Sequence, residues 1–323
     1  MVGTIALDSS LLPSKLSNQP SHQLTKHQTI HPKEKQMKIG FIGLGIMGSR
    51  MAANLLKADV ELMVHNRTKD KAADLLEQGA VWADSPAALA SADIVFTMLA
   101  HPEAVAAAAF GPTGFLDHMQ PNTLWVDCST VNPSFANEMA AAAQARNIRY
   151  MDAPVAGTKP QAQNAELIFI VGGEAGDLAE VKPYLERMGN RVVHIGKAGM
   201  GIALKVVVNN MLGASMAIFA ESMALGEALG LSQETLLNVL VGGPVAAPFL
   251  AGKRPKIEQQ DYDPQFPLRW MQKDMHMVAL AAYEAEVAMP ISNATKELYQ
   301  LAIRDGWGDQ DFSAIYQFMA ANK

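Results

Sequence analysis

The sequence predicts an α/β fold in which a doubly wound, mostly parallel sheet is followed by an all-α domain. From Met37 onward, short apolar runs alternate with helical patterns, which indicates right-handed crossovers and helices on both faces of a sheet. A glycine-rich turn, Gly43–Gly48, joins the first apolar run to the first helix. After Gly201 strand patterns give way to helical ones, beginning with a long apolar helix from about Ile202 to Leu229. This helix is expected to join the two domains.

The elements follow from hydrophobic periodicity and from the residues that bound each run. The predicted strands are Ile39–Gly43, Glu61–His65, Ile94–Leu99, Leu124–Cys128, Tyr150–Val155, Leu167–Val171 and Val192–Ile195. The predicted helices of the first domain are Ser49–Lys57, Lys69–Gln78, Pro86–Ala90, Pro102–Phe110 and Pro133–Ala145. Those after the long helix are Gln233–Leu240, with Ser232 as its N-cap, Leu268–Ala285, Pro290–Asp305 and Phe312–Ala320.

Composition disfavours several classes of function. The 323 residues carry a formal net charge of −6 without a basic cluster, so nucleic acid is not an expected partner. Cys128 is the only cysteine, which excludes a disulfide within the chain and disfavours a cysteine metal site. The stretch Val206–Ala224 comes closest to a membrane span, but its polar residues predict a helix buried on most sides. We therefore expect neither a membrane partner nor a bound metal.

Residues 1–36 differ in composition from the rest of the chain. They are rich in Ser, Gln, His, Lys and Pro and show little apolar periodicity. A flexible leader and a seldom used upstream start both fit this composition, and a targeting segment stays open. Because the segment has neither the apolar core of a secretory signal nor arginine, we expect a cytoplasmic protein. The domain boundaries predicted are 1–36 for the leader, 37–200 for the sheet domain and 201–323 for the helical domain.

The turn Gly43-Leu44-Gly45-Ile46-Met47-Gly48 has the form of a dinucleotide site. Gly43 permits the tight turn, Gly45 lets a pyrophosphate approach the backbone, and Gly48 lets the helix pack closely on the strand. The helix N-terminus then faces the phosphates. This context predicts a Rossmann-type domain, although a glycine-rich turn kept for packing would show the same pattern.

The end of the second strand favours NADP over NAD. An acidic residue here would bind the ribose 2′-hydroxyl, but the sequence has His65-Asn66-Arg67-Thr68 instead. Arg67 can form a forked, charge-assisted bond to a 2′-phosphate, and Asn66 and Thr68 can donate further hydrogen bonds. The alternative is that Arg67 is a solvated residue at a helix start and Asn66 a simple cap.

Four segments occur in order that together resemble the β-hydroxyacid dehydrogenase family. They are Gly43–Gly48, Asp127–Thr130, Asp152–Gly157 and Gly201–Asn209. The resemblance covers Met37 to about Phe318, and it includes Phe266–Leu268, Gln272–Met275 and Asp311–Ala314. Within the family, the motifs look most like those of NADPH-dependent glyoxylate/succinic semialdehyde reductases.

The resemblance implies a role for each matching residue. Lys205 would be the catalytic general acid or base, and Asn209, four residues further along the helix, shares its face. The residues implied for the substrate are Ser129, Gly157, Thr158, Asn209 and Phe266. Those implied for NADP(H) are Gly43, Leu44, Gly45, Ile46, Met47, Gly48, Asn66, Arg67, Thr68, Met98, Leu99, Thr130 and Lys273, with Asp274 in support.

Each residue also has a structural interpretation. A lysine within an apolar helix is usually a surface residue with a buried stem, Ser129 and Thr130 could cap the next helix, and Lys273 could belong to a solvated face. Ala156, Thr158 and Lys159-Pro160 depart from the family pattern, which leaves the substrate pocket less defined than the reaction.

The predicted function is NADPH-dependent reduction of small aldehydes that bear a carboxylate, such as glyoxylate or succinic semialdehyde. Oxidation of 3-hydroxyisobutyrate is the alternative within the family, and a non-catalytic binding module is the alternative in another class. A larger sugar-acid substrate would need more basic residues than the C-terminal third has. The apolar long helix further predicts a homodimer or homotetramer.

Overall fold

The computed structural model describes residues 37–58 and 60–321, so the predicted leader lies outside the described residues. Within them a mixed sheet is followed by helices, which confirms the predicted fold class. The strands are β1 Met37–Ile42, β2 Val60–His65, β3 Val81–Trp82, β4 Ile94–Thr97, β5 Leu124–Asp127, β6 Arg149–Asp152, β7 Val155–Ala156, β8 Leu167–Gly172 and β9 Gly189–Gly196. The helices are α1 Gly48–Leu55, α2 Ala73–Glu77, α3 Pro102–Phe110, α4 Pro133–Gln144, α5 Lys159–Gln163, α6 Ala175–Met188, α7 Met200–Ala228, α8 Gln233–Leu240, α9 Arg254–Gln259, α10 Leu268–Glu284, α11 Pro290–Ala302 and α12 Ile315–Ala321.

The sheet places the carboxyl ends of six neighbouring strands along one edge. Its order is β3-β2-β1-β4-β5-β6-β8-β7, with β9 beside β8, and the pairs from β3 to β6 are parallel. In such sheets ligands bind at this edge, close to the point where the strand order reverses. Here the reversal lies between β1 and β4, directly beside the Gly43–Gly48 turn.

The far side of the sheet differs from the prediction. The expected single strand Tyr150–Val155 is wrong, because it ends at Asp152 and a separate two-residue strand follows Pro154. Proline has no N–H to donate to a ladder, so pairing cannot continue through it. The new strand β7 and strand β6 both pair antiparallel with β8, a direction that hydrophobic alternation does not reveal.

Two apolar clusters hold helices on the two faces of the sheet. One contains Met51 and Leu55 of α1 with Val181 and Leu185 of α6. The other contains Val105 of α3 together with residues of α4 and the ring of Trp125. The predicted helix Lys69–Gln78 begins as a 3₁₀ helix over Lys69–Ala72 and continues as α2, whereas the predicted helix Pro86–Ala90 is a 3₁₀ helix over Pro86–Leu89.

The helical part packs around α7, the predicted joining helix. Its core includes Met216, Met223, Met271 and Tyr299, all fully buried. Gly213 lets α10 come close, because a Cβ there would lie 2.6 Å from Sδ of Met275. Ser232 caps α8 as predicted, accepting a bond of 3.1 Å from the Thr235 amide. The predicted helix Pro290–Asp305 is α-helical as far as Ala302 and is followed by a π-helix over Ile303–Trp307.

One face of α7 is exposed, which corrects the expectation of a helix buried on most sides. Val207, Met211, Ile218 and Leu225 are each more than half exposed. By length and composition α7 could also cross a membrane, with a mean hydropathy of 1.6 over its most apolar window. The polar residues within Val206–Ala224 therefore do not take this helix below the apolarity of a membrane span. Soluble core helices pass the same test, and 44% of that window is buried within the protein.

Candidate active site

A cavity of about 750 Å³, called the cleft below, lies between the carboxyl edge of the sheet and the start of α10. The sheet side contributes the glycine turn and the ends of β2 and β4, and the helical side contributes residues between Gln265 and Asp274. The predicted cofactor residues that line the cleft are Gly43, Gly45, Ile46, Met47, Gly48, Asn66, Arg67, Thr68, Met98, Leu99, Thr130 and Lys273. The fold thus brings together residues that are up to 230 positions apart.

The glycine turn has the geometry that a dinucleotide needs. Gly43 has φ of +101°, and a Cβ there would lie 2.3 Å from the carbonyl oxygen of Met98. A Cβ on Gly48 would lie 1.9 Å from the Gly43 oxygen, whereas one on Gly45 would meet nothing within 4 Å. Gly45 therefore leaves open space beside the backbone. The first turn of α1 has no acidic residue and no side-chain cap, so the positive end of the helix dipole faces the turn without a competing carboxylate.

At the end of β2 the side chain of Asn66 ties two turns together. Its Oδ1 accepts a bond of 3.0 Å from the Leu44 amide, and its Nδ2 donates to the Thr68 oxygen at 2.9 Å. Leu44 itself is buried in the sheet core and does not line the cleft, so only its backbone lies near the site. Asn66 is thus engaged in shaping the turn, while Arg67 lines the cleft.

Lys71 is a second cation in this part of the cleft that the sequence interpretation missed. It follows Arg67 by four residues, but Arg67 precedes the 3₁₀ turn Lys69–Ala72, so helical spacing does not relate the two side chains. The only signal in the sequence was a second basic residue shortly after β2. A phosphate at this end of the cleft would meet two positive charges.

Lys205 lies on α7 in a buried position. Lys205 is only 8% exposed, and burial lowers the pKa of its ammonium to about 8. That value includes two smaller effects: the carboxylate of Asp274 raises the pKa, and the positive charge of Lys273 lowers it. A lysine with such a pKa can donate a proton as the ammonium and accept one as the neutral amine, which suits general acid or base work.

A chain of polar contacts links the neighbours of Lys205 to the cleft. Asn209, one turn along α7, donates to Oδ2 of Asp274 at 2.6 Å. Asp274 forms an ion pair of 2.7 Å with Lys273, whose ammonium donates to the Thr130 oxygen at 2.7 Å. Lys273, Asp274 and Thr130 line the cleft, whereas Lys205 and Asn209 are buried and are not among its lining residues. Within the described ranges Oδ1 of Asn209 is buried without a hydrogen-bond donor, so it can accept one from a substrate or from Lys205.

The three residues predicted to bind the substrate carboxylate are engaged in contacts within the protein. Ser129 is fully buried, and its Oγ accepts a bond of 2.9 Å from the Leu99 amide. Thr158 caps α5, where its amide and hydroxyl bond the side chain of Gln161. Gly157, with φ of +127°, packs against Leu167 and Gln161. None of these three residues lines the cleft, so their contact with a substrate stays a prediction.

Phe266 lines the cleft and is held there by a buried carboxylate. Asp311 accepts bonds from the amides of Gln265 and Phe266 at 3.0 and 3.2 Å. Lys253 neutralises this carboxylate through an ion pair of 2.9 Å. The motif at Asp311 therefore shapes the cleft wall from a distance. Lys253 was missed because a basic residue near other charges resembles a solvated surface.

Two aromatic side chains that the sequence did not single out also line the cleft. The His101 ring, at the start of α3, lies 6.5 Å from the Trp270 ring on α10. His101 belongs to the sheet side of the cleft and Trp270 to its helical side. In the part of the chain that the structure describes, no group of three or more metal-binding side chains is present.

Family models match nearly the whole described chain. Residues 38–196 match the NAD binding domain of 6-phosphogluconate dehydrogenase, and residues 199–319 match the NAD-binding domain of NADP-dependent 3-hydroxyisobutyrate dehydrogenase. The glyoxylate/succinic semialdehyde reductase 2 of Arabidopsis thaliana, named as chloroplastic, is 36% identical over 89% of this chain and 80% of its own length. The cytokine-like nuclear factor N-PAC of Xenopus tropicalis is 34% identical over 89% of this chain, which spans 54% of that protein.

Solved structures of related proteins also align with this chain over most of its length. A Mycobacterium tuberculosis 3-hydroxyisobutyrate dehydrogenase, solved with L-serine, aligns with a TM-score of 0.80 and 31% identity. That alignment covers 88% of this chain and 99% of the other. Psf3 in complex with NADP+ and 2-OPP aligns with a TM-score of 0.80 and 26% identity, over 87% and 99% of the two chains.

Proposed function

This chain belongs to the β-hydroxyacid dehydrogenase family of NAD(P)-dependent oxidoreductases, and on that basis we propose that it uses NADPH to reduce small aldehydes that bear a carboxylate. Glyoxylate and succinic semialdehyde are the substrates proposed. The reductase relative from Arabidopsis supports this choice by its name.

The observation that carries the proposal is the buried Lys205 beside Asn209 and Asp274. Reduction of an aldehyde requires a proton at oxygen, and bound NADPH supplies the hydride at carbon. The ammonium of Lys205 would donate that proton, and in the reverse direction the neutral amine would accept it. Asn209 donates to Asp274 at 2.6 Å and would hold the reacting oxygen close to the lysine.

NADP rather than NAD is proposed from the charges at the end of β2. Arg67 and Lys71 both line this part of the cleft, and the residue at the position typical for an acidic ribose contact is Asn66. The structure of a relative with NADP+ supports the same choice. A carboxylate at Asn66 would repel a 2′-phosphate, so its absence there removes one obstacle.

The proposal is tested with purified protein and a panel of aldehydes. We expect NADPH-dependent reduction of glyoxylate and succinic semialdehyde, with kcat/KM higher for NADPH than for NADH. Methylmalonate and tartronate semialdehydes complete the panel. Faster turnover of methylmalonate semialdehyde than of the first two would favour the alternative 3-hydroxyisobutyrate dehydrogenase, which the Mycobacterium structure keeps open.

A non-catalytic module on the same fold is the second candidate. The similarity to N-PAC, which is named as a nuclear factor, favours it. The buried lysine with a pKa near 8 argues against it, because an idle fold has no need for such a charge in its core. NADPH binding without turnover of any aldehyde would support the module.

We propose further that the exposed face of α7 joins two copies of the chain. Leu204, Met211, Ile218 and Leu225 recur every seven residues along it and are each more than a third exposed. Such an apolar stripe is costly in water and packs well on a copy of itself. A homodimer or homotetramer is therefore proposed. The cytoplasm is proposed separately as the location of the protein.

Light scattering after size exclusion should give at least twice the chain mass of 34.7 kDa. Ile218→Glu is expected to shift the protein towards monomer, because a charge would be buried in the interface. Glu77→Gln, on the exposed side of α2, is the control and should leave the mass unchanged. A wild-type protein that is monomeric at micromolar concentration would contradict the proposal.

A further inference from the structure

The helix that carries Lys205 has no N-terminal cap of its own. Its N-cap residue, Gly199, has φ of +88° and no side chain to accept a bond. The first turn of α7 also has no acidic residue. Since the first amides of a helix have no partner within it, a buried start such as this one needs an acceptor from elsewhere.

The acceptor is Asp152, the last residue of β6 and 47 positions earlier than Gly199. Its Oδ1 accepts a bond of 2.6 Å from the Gly199 amide, and its Oδ2 accepts one of 2.7 Å from the Ile202 amide. Asp152 is fully buried. One carboxylate thus bonds both sides of the first turn of α7, where the positive end of the helix dipole also favours a negative charge.

Two glycines make room for this carboxylate. A Cβ on Gly172, at the end of β8, would lie 2.6 Å from Oδ1 of Asp152, and one on Gly201 would lie 2.7 Å from Oδ2. The same Gly201 Cβ would lie 2.4 Å from the Ile170 oxygen. The sheet edge and the helix start therefore meet with the Asp152 side chain between them, and neither can shift along the other without breaking its bonds.

Lys205 lies three residues beyond Ile202, within the next turn of the same helix. A helix rises 1.5 Å and turns by 100° per residue, so a slip of its first turn changes both the height and the direction of Lys205. The glycine turn and the ends of β2 and β4, which line the cleft, belong to the sheet side, whereas Lys205 belongs to α7. The two hydrogen bonds of Asp152 fix the start of α7 relative to the end of β6.

We propose that Asp152 is a positioning residue for the proposed reduction, holding α7 against the sheet so that the ammonium of Lys205 meets the oxygen of the aldehyde. This inference rests on the proposed function, because it acts through Lys205. Burial raises the pKa of the Asp152 carboxyl to about 6, despite the bonds from Gly199 and Ile202 that lower it. The carboxylate is ionised above that pH, in the form that accepts both bonds.

The test compares Asp152→Asn with Asp93→Asn. In the first variant one oxygen becomes an NH₂ group that faces an amide donor, so one bond to α7 is replaced by a repulsive contact. Asp93 is the control because its Oδ2 also accepts a backbone amide, that of Lys38 at 3.0 Å, but at the opposite edge of the sheet. Both variants are scored per NADPH-binding site, so that unfolded protein does not count.

Asp152→Asn is expected to lower kcat roughly 10- to 100-fold, as for the loss of a hydrogen bond to a charged group or a displacement of about 1 Å in a reacting group. The Kd for NADPH should stay near that of the wild type. The deuterium isotope effect on kcat, measured with NADPH deuterated at the transferred position, should rise, because misplaced Lys205 makes the chemical step slower. Asp93→Asn should change neither quantity.

Gly201→Ala is a second variant that keeps the carboxylate and displaces the helix start instead. It should show the same fall in kcat and the same rise in the isotope effect, and it replaces Asp152→Asn if that protein does not fold. A wild-type kcat and isotope effect in a folded variant of either kind would overturn the inference. If Lys205→Ala retains turnover, the role of Lys205 as proton donor fails, and if the wild type reduces no aldehyde, the proposed function fails; both are separate results.

Discussion

Replacing Lys205 by alanine is expected to reduce kcat for NADPH-dependent aldehyde reduction by about 10²- to 10⁴-fold, the usual contribution of a positioned acid or base. The Kd for NADPH should change little, because Lys205 is not among the residues that line the cleft. Steady-state kinetics and NADPH fluorescence measure the two quantities. The variant is also expected to fold, since it removes a charge from a buried site.

Two controls make this result specific. Lys205→Arg keeps the positive charge, but an arginine does not release its proton at these pH values, so it should not restore turnover in either direction. Lys182→Ala removes a half-exposed lysine on α6 and should leave kcat unchanged. Turnover of Lys205→Ala close to that of the wild type would show that the proton comes from another group.

The same lysine sets the expected pH dependence. Burial lowers its pKa to about 8, so the ammonium form that donates a proton predominates below this pH. The rate of aldehyde reduction should therefore be flat at neutral pH and fall as the pH rises through about 8. Alcohol oxidation needs the neutral amine and should rise over the same range. A reduction rate that increases with pH through this range would contradict the assignment.

Removing the positive charge of Arg67 is expected to produce the second largest effect. Arg67→Ala should lower kcat/KM for NADPH by roughly 10- to 150-fold, which corresponds to the loss of one hydrogen bond to a charged group. The value for NADH should stay nearly constant, because NADH has no 2′-phosphate. Kinetics with both cofactors measure the ratio.

Lys71 and Lys69 separate a specific contact from general attraction. Lys71→Ala should weaken NADPH in the same direction, since Lys71 also lines the cleft. Lys69→Ala is the matched control, because its ammonium lies over the Trp82 ring at 5.3 Å from the centroid instead. An equal loss for NADH and NADPH in Arg67→Ala would show that Arg67 does not select the cofactor.

Much of the fold follows from local patterns in the sequence. Buried apolar runs and the turn at Gly43–Gly48 predict the parallel half of the sheet, because each strand is bounded by its own turn or helix start. The antiparallel pairs of β8 were not predicted, since strand direction depends on partners distant in the chain. The apolar character of α7 predicted an oligomer, but the residues of its exposed stripe could not be named, because an apolar helix has the same composition whether its faces meet the core or another subunit.

The site was predictable as a set of residues and much less as a set of contacts. The motif at Lys205 and Asn209 points to a shared helix face, and the structure places both beside Asp274. The hydroxyl of Ser129 is instead bonded to the Leu99 amide, a contact 30 residues apart that no local pattern encodes. The cap that Asp152 gives to α7 is hidden for the same reason, because it joins the end of one element to the start of another.

The most direct test of the central claim follows the hydride itself. The protein is incubated with glyoxylate or succinic semialdehyde and NADPH that carries deuterium at the transferred position, and the products are examined by NMR. The account predicts deuterium on the carbinol carbon of glycolate or 4-hydroxybutyrate, at a rate that Lys205→Ala nearly abolishes. Absence of deuterated alcohol from every aldehyde of the panel, in protein that binds NADPH, would contradict it.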